Sequence, residues 1–244
     1  MRGWLLVMLA MVVSVSAWSR EMILTCGEAY PPLCFADNGA VAGIEVDLMN
    51  ELAKRQGFSL KARALPWARA QEQVRTGEAD AFITITTPER REYAVMSPAV
   101  LFSTHLVAAT AKNNPRVAEL RSIKTLQDTL AFPQVNYVGS SLVARQLGGA
   151  KVSLLNSTDA IFQFLLLDRA DLFLDTDVVL SYNAARLGVL DQIEFLPPAF
   201  EVTEFRLGIS KHSPFAAEMP ELSRAIETMR DDGTIAAILK KYSR

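Results

Sequence analysis

The sequence predicts an α/β protein of two lobes with a cleft between them. Three observations carry that prediction. Strand-like and helix-like stretches alternate along the chain, which favours helices layered on a sheet. A phrase also recurs: Glu78-Ala79-Asp80-Ala81-Phe82-Ile83-Thr84 is echoed by Arg169-Ala170-Asp171-Leu172-Phe173-Leu174-Asp175. Each copy runs from Ala-Asp through three apolar residues to a polar residue at a strand's C-terminal end, where open α/β sheets bind ligands. Finally, two long extended runs, Phe102 to Thr110 and Glu201 to Ser210, are long enough to cross twice between lobes. Thr84 and Asp175 are then expected on opposing walls of the cleft.

The elements follow in order. Met22-Ile23-Leu24-Thr25 reads as a first strand. Glu45 to Arg55 places Val46, Met49 and Ala53 on one helical face, and Gly57 closes it. Ser59 to Ala64 alternates as a strand does, and Trp67 to Thr76 returns to helix with Gly77 as the stop. Asp80 to Ile83 is a short buried strand. Near the end Leu222, Ile226 and Met229 share a helical face, and Thr234 is placed to cap a last helix carrying Ile235, Ile238 and Leu239. With two crossings the first lobe is discontinuous, residues 18–108 and 202–244, and residues 112–198 form the second.

Composition narrows the function. The 244 residues are 50% hydrophobic and 21% charged, which fits a folded globular protein. A formal net charge of −2 gives no basic surplus for nucleic acid. Two Cys and two His lack the spacing of a familiar metal site, so neither metal nor other cofactor is expected. Arg2 precedes an apolar run from Trp4 to Val13, and Val15-Ser16-Ala17 follows with small residues. That run is shorter than the roughly 20 residues that span a bilayer, so residues 1–17 read as a cleaved secretory signal. An exported chain matures under oxidising conditions, which favours a bridge between Cys26 and Cys34 over two small buried thiols.

Several phrases then carry a family resemblance: Tyr30-Pro31-Pro32, Gly43-Ile44-Glu45-Val46-Asp47-Leu48, Pro66-Trp67 and Thr87-Pro88-Glu89-Arg90. Gly139-Ser140-Ser141 and Asp231-Asp232-Gly233-Thr234 ahead of Ile238-Leu239-Lys240-Lys241-Tyr242 complete the set. In this order the chain resembles the bacterial extracellular solute-binding proteins of the polar amino-acid type, family three. The resemblance implies the two-lobed type II periplasmic binding protein fold, hinged on two extended crossings. It implies a monomer that closes on an amino acid outside the cytoplasm and delivers it to the membrane permease of an ABC importer.

A zwitterion taken out of water needs a cation for its carboxylate and an anion for its ammonium. Arg90 matches the position that holds the ligand carboxylate, and its planar fork suits that partner; Arg91 is its neighbour. Thr84, Thr86 and Thr87 line the approach to it. Ser140 and Ser141 open a helix whose free N–H groups suit the same carboxylate. Asp175 is the candidate for the ammonium, with Thr176 and Asp177 as rivals. Tyr30 and Trp67 match aromatic walls for the ligand side chain, and Glu28 is placed to select a cationic one. Pro98-Ala99 stands where the family has Asp-Pro. No catalytic residue is expected: His105 and His212 lack partner motifs for a nucleophile and base. The alternatives are a cyclohexadienyl-type dehydratase on the same fold, and a ligand-binding subunit that reports to a membrane sensor.

Overall fold

The computed structural model of the protein describes residues 20–242 apart from Asn38 and Gly139. The expected signal segment, residues 1–17, lies outside the described residues, as does Gly139 of the Gly139-Ser140-Ser141 phrase. The strands are β1 (Glu21–Gly27), β2 (Ala29–Tyr30), β3 (Cys34–Asp37), β4 (Ala40–Ala42), β5 (Ser59–Leu65), β6 (Ala81–Thr84) and β7 (Ala94–Met96). They continue with β8 (Phe102–Ala111), β9 (Gln134–Tyr137), β10 (Val152–Leu155), β11 (Leu172–Thr176) and β12 (Ile193–Ser210). The helices are α1 (Ile44–Gln56), α2 (Trp67–Thr76), α3 (Pro88–Tyr93), α4 (Val117–Leu120) and α5 (Ser141–Gln146). After them come α6 (Thr158–Leu166), α7 (Asp177–Arg186), α8 (Met219–Asp231) and α9 (Thr234–Tyr242). No helix among the described residues is long and apolar enough to cross a membrane.

Local chemistry sets these boundaries. Asp47 lies in the first turn of α1 and Lys54 and Arg55 in its last, each sign matched to the helix dipole. Gly57 ends α1 in the left-handed region at φ 69°, which a side chain would resist. The hydroxyl of Thr87 accepts from the Arg90 N–H at 3.2 Å and Pro88 begins α3, so capping and a pre-set φ start it together. The last helix departs from expectation. Asp232, not Thr234, supplies the cap by accepting the Thr234 N–H at 3.0 Å, while the Thr234 hydroxyl accepts from Arg55 at 2.8 Å. Thr234 is itself the first residue of α9, so its N–H is one of the donors left unpaired at the helix start, and the Asp232 carboxylate two residues upstream accepts it.

One sheet of nine strands runs β10-β9-β11-β8-β12-β6-β1-β5, with β7 also paired to β12. The outer strands at each end are parallel to their neighbours, whereas β8 and β12 pair antiparallel with each other and with what flanks them. Apolar side chains divide accordingly. Met22 and Leu24 of β1 join Leu48, Met49 and Leu52 of α1 and Ile226 and Met229 of α8 in one core. Phe173 of β11 meets Phe162 and Leu165 of α6 and Leu180 of α7 in a second, with Leu172 and Leu174 turned to a third on the opposite face. These burials, at about 25 cal/mol per Å² of apolar surface, hold the helices to each half of the sheet.

The two acids of the repeated phrase are staples. Asp80 accepts the Ile23 N–H at 2.8 Å and the Ser213 hydroxyl at 2.7 Å. Asp171 accepts from Asn114 and Arg116, both at 2.9 Å. Each carboxylate ties the start of its strand to another part of the same half, so the echo in sequence reflects an equivalent structural task.

Candidate functional site

The register of the two long strands shows how the walls meet. Thr84 at the end of β6 lies beside Arg206 of β12. Thr176 at the end of β11 lies beside Leu106 of β8, itself paired with Glu201 of β12. Strands β6 and β11 therefore run toward each other from opposite ends of the stretch where 102–106 pairs with 201–205. Four or so residues of extended chain separate the two ends, a distance on the order of 15 Å along the ribbon. Phe102 and Phe205 stack within it, ring centroids 4.7 Å apart.

On the β11 side, Asp175 is buried at 8% exposure. Tyr30 crosses from the other half and donates its hydroxyl hydrogen to Asp175 Oδ1 at 2.7 Å, and the Thr176 N–H donates to the same oxygen at 2.7 Å. Burial raises the Asp175 carboxyl to about 6, against the hydrogen bonds from Tyr30, the Thr176 backbone and Tyr137, which favour the anion. Burial, with the nearby Asp175 charge, also lifts the Tyr30 and Tyr137 hydroxyls well above the usual phenol value, so both remain donors. Tyr137 sits edge-on to Tyr30 at 5.9 Å. A second bond between the halves runs from the Asn183 amide to the Pro31 carbonyl at 2.7 Å. Val179 of α7, though on the β11 side, is buried in the core of the other half.

Tyr30 owes its position to the disulfide between Cys26 and Cys34, whose Cα atoms are 6.1 Å apart. Cys34 of β3 is the register partner of Tyr30 in β2. The bridge thus ties the small β2-β3-β4 sheet to the end of β1 and fixes the ribbon that carries Tyr30. The alternative of two free thiols is overturned.

On the β6 side, Arg90 is buried at 5% exposure. Its Nη1 donates to the Ile85 carbonyl at 3.0 Å and its Nε to Gln71 Oε1 at 3.2 Å. The guanidinium lies 5.5 Å from the centre of the Trp67 ring, within cation–π range. Trp67 in turn stacks on Phe82 at 6.2 Å. Trp67 and Gln71 are one helical turn apart on α2, which explains why both meet Arg90. Thr84 is buried, and the Thr86 hydroxyl is buried with no hydrogen-bond partner among the described residues. Buried hydroxyls are rarely left so. Arg91 is exposed and Arg90 faces inward.

The remaining residues separate. Ser140 caps α5 by accepting the Val143 N–H at 3.4 Å, but α5 is only six residues long; the Ser141 side chain lies outside what is described. Asp177 turns away from Tyr30 to His105, accepting its N–H at 3.2 Å and meeting its Nδ1 at 3.1 Å. Glu28 is exposed, its backbone N–H bonded to Leu65. Depressions of about 580 Å³ and about 280 Å³ lie elsewhere, and neither is lined by Arg90 or Asp175. Sequence reasoning missed Gln71, Tyr137 and Asn183. Gln71 could have been found from its spacing to Trp67; Tyr137 and Asn183 gave no local signal.

The bacterial extracellular solute-binding proteins, family 3, match this chain over residues 22–244. A probable amino-acid-binding protein of Bacillus subtilis, YxeM, is 19% identical over 225 residues, covering 88% of this chain and 81% of that protein. A putative binding component of an ABC transporter from Wolinella succinogenes, complexed with lysine, superposes with a TM-score of 0.76. It is 19% identical and covers 91% of this chain and 94% of its own. The ancestral amino-acid-binding protein AncCDT-1, described as a precursor of cyclohexadienyl dehydratase, gives a TM-score of 0.74. Its identity is 21%, with 92% of this chain and 96% of its own covered.

Proposed function

This chain belongs to the bacterial extracellular solute-binding proteins of family 3, and from that premise we propose that it captures an amino acid by closing its two lobes and presents it to an ABC importer. The lobes are taken as residues 18–108 with 202–244 and residues 112–198. The carrying observation is the pair of buried, oppositely charged side chains near the ends of strands that run toward each other: Arg90 on α3, which follows β6, and Asp175 on β11. A bound zwitterion would set its carboxylate on Arg90 with the hydroxyls of Thr84, Thr86 and Thr87, and its ammonium on Asp175. Ser140 and Ser141 would approach the carboxylate from the second lobe, and Tyr30 and Trp67 would flank the side chain. Asp175 is preferred to Asp177 because Asp175 is buried at the end of β11, whereas Asp177 pairs with His105 in an exposed position. Glu28, being exposed, would touch only the tip of a long cationic side chain.

Closure signals occupancy because a ligand favours whichever state it binds better. The chain acts by binding, as an exported monomer whose segment 1–17 is removed. Thermal unfolding of the protein with single amino acids tests this, with carboxylates lacking the amine as controls. Ligand at a hundredfold excess over its Kd adds about 2.7 kcal/mol, a shift of roughly 5–10 °C at this size. A shift with amine-free carboxylates alone would remove Asp175 from the ligand contacts.

The dehydratase reading rests on the Asp175 carboxyl, which holds its proton to about pH 6 and could donate it. Turnover of a cyclohexadienyl acid by the purified protein, lost in Asp175→Asn, would favour that reading over binding alone.

A further inference from the structure

One cluster of metal-ligating side chains lies apart from the cleft residues. The sulfurs of Cys26 and Cys34 and a carboxylate oxygen of Glu45 all lie within 4.8 Å of one another. The three residues are buried, at 1%, 1% and 5% exposure. They come from β1, β3 and the first turn of α1. The turn between β2 and β3 fixes Glu45 over the sulfurs: the Ile44 N–H donates to the Pro32 carbonyl at 2.9 Å and the Glu45 N–H to the Leu33 carbonyl at 3.0 Å. Gly43, at φ 128°, lets this turn sit directly on the helix, since any Cβ there would collide with the Leu33 carbonyl.

Among the described residues no hydrogen bond or ion pair engages the buried Glu45 carboxyl. A carboxyl buried without a partner costs stability that an apolar residue of similar size would not. Its place beside two sulfurs makes sense if the three groups share a cation.

We infer that the reduced form of this chain binds a thiophilic divalent cation, such as zinc or cadmium, through Cys26, Cys34 and Glu45. A dithiol reductant opens the bridge, giving two protein thiols while its own two sulfurs join as a disulfide. The cation then replaces the two thiol protons and the carboxyl proton, which pass to solvent. Two thiolates and a carboxylate suit zinc or cadmium. The Cα separation of 6.1 Å lets both sulfurs reach one ion at about 2.3 Å. Three anionic ligands leave a residual charge of only one on the buried group, and the fourth position falls to water. Bridge and metal exclude each other, so the site belongs to the chain before oxidation or after a reductant has reopened it.

The test reduces the full protein with a water-soluble phosphine, removes the phosphine and titrates cadmium while following the thiolate-to-cadmium charge-transfer absorbance. Equilibrium dialysis with zinc runs beside it. The expected result is one cation per chain in the reduced protein and none in the oxidised. Glu45→Gln should weaken affinity by at least the roughly 10–100-fold that loss of an outer-shell partner causes. Absence of the band in the reduced protein overturns the proposal. So does equal affinity in Glu45→Gln, or equal uptake by the oxidised protein. If reduction unfolds the chain, cadmium should restore the native circular dichroism, and failure to do so also counts against the site.

Discussion

Tyr30 and Asp175 stand 145 residues apart in the chain, yet the phenol of one donates to the carboxylate of the other at 2.7 Å. The bond joins the two halves of the molecule directly. Hydrogen bonds to charged groups contribute about 1.5–3 kcal/mol. Tyr30→Phe should therefore lower the stability of the protein by that order near neutral pH. The loss should shrink below about pH 6, where Asp175 is protonated. Urea midpoints of the two proteins at two pH values measure it.

The pH dependence of stability has a determined sign. Asp175 and Glu45 have folded values of about 6 and about 8 against ordinary values of 3.8 and 4.5. Above the ordinary value and below the raised one, the folded chain holds a proton that the unfolded chain has released. Each group thus lowers stability as pH rises through that window, by up to about 1.4 kcal/mol per pH unit. Asp175 acts up to about pH 6 and Glu45 up to about pH 8. Glu45→Gln should flatten the upper limb of the stability curve and Asp175→Asn the lower. A slope unchanged in both would assign it to other groups.

Arg90→Ala removes the charge and the fork together. If Arg90 holds the ligand carboxylate, affinity in calorimetry should fall by about 2–5 kcal/mol. The variant's own melting temperature, without ligand, separates that loss from the loss of the bonds to Ile85 and Gln71. Unchanged affinity would remove Arg90 from the site.

Replacing Cys26 and Cys34 with Ser removes a bridge that closes a short loop. The expected cost is about 2–3 kcal/mol, at the lower end for disulfides because short loops gain least from closure. The midpoint in guanidinium reads it. Since the ribbon carrying Tyr30 is tied down by this bridge, the double variant should also lose most of what Tyr30→Phe loses.

Much of the framework was legible in the chain itself. Apolar periodicity located α1 and α2, and Gly57 and Gly77 ended them, because helix faces and left-handed stops leave local marks. Arg90 stood out through the family resemblance, in the phrase Thr87-Pro88-Glu89-Arg90, whose first two residues open the helix that carries it. What escaped notice depends on contacts between distant segments. Nothing near Asn183 points to the Pro31 carbonyl, and nothing near Glu45 points to the cysteines. The choice between Asp175 and Asp177 needed the fold too. Asp175 lies in β11 whereas Asp177 opens α7, and the change from strand to helix sends the two carboxylates to different neighbours, Tyr30 for one and His105 for the other.

The paired stretch of β8 and β12 makes the relation between the two walls a matter of odd and even. Side chains alternate faces along a strand, so deleting one residue within 102–106 would turn over everything beyond it, Val107 and its partner Asp175 included. Deleting two would restore the facing and merely shorten the span. The spacing across this ribbon is thus constrained by parity before it is constrained by length, and tolerated changes there should come in pairs.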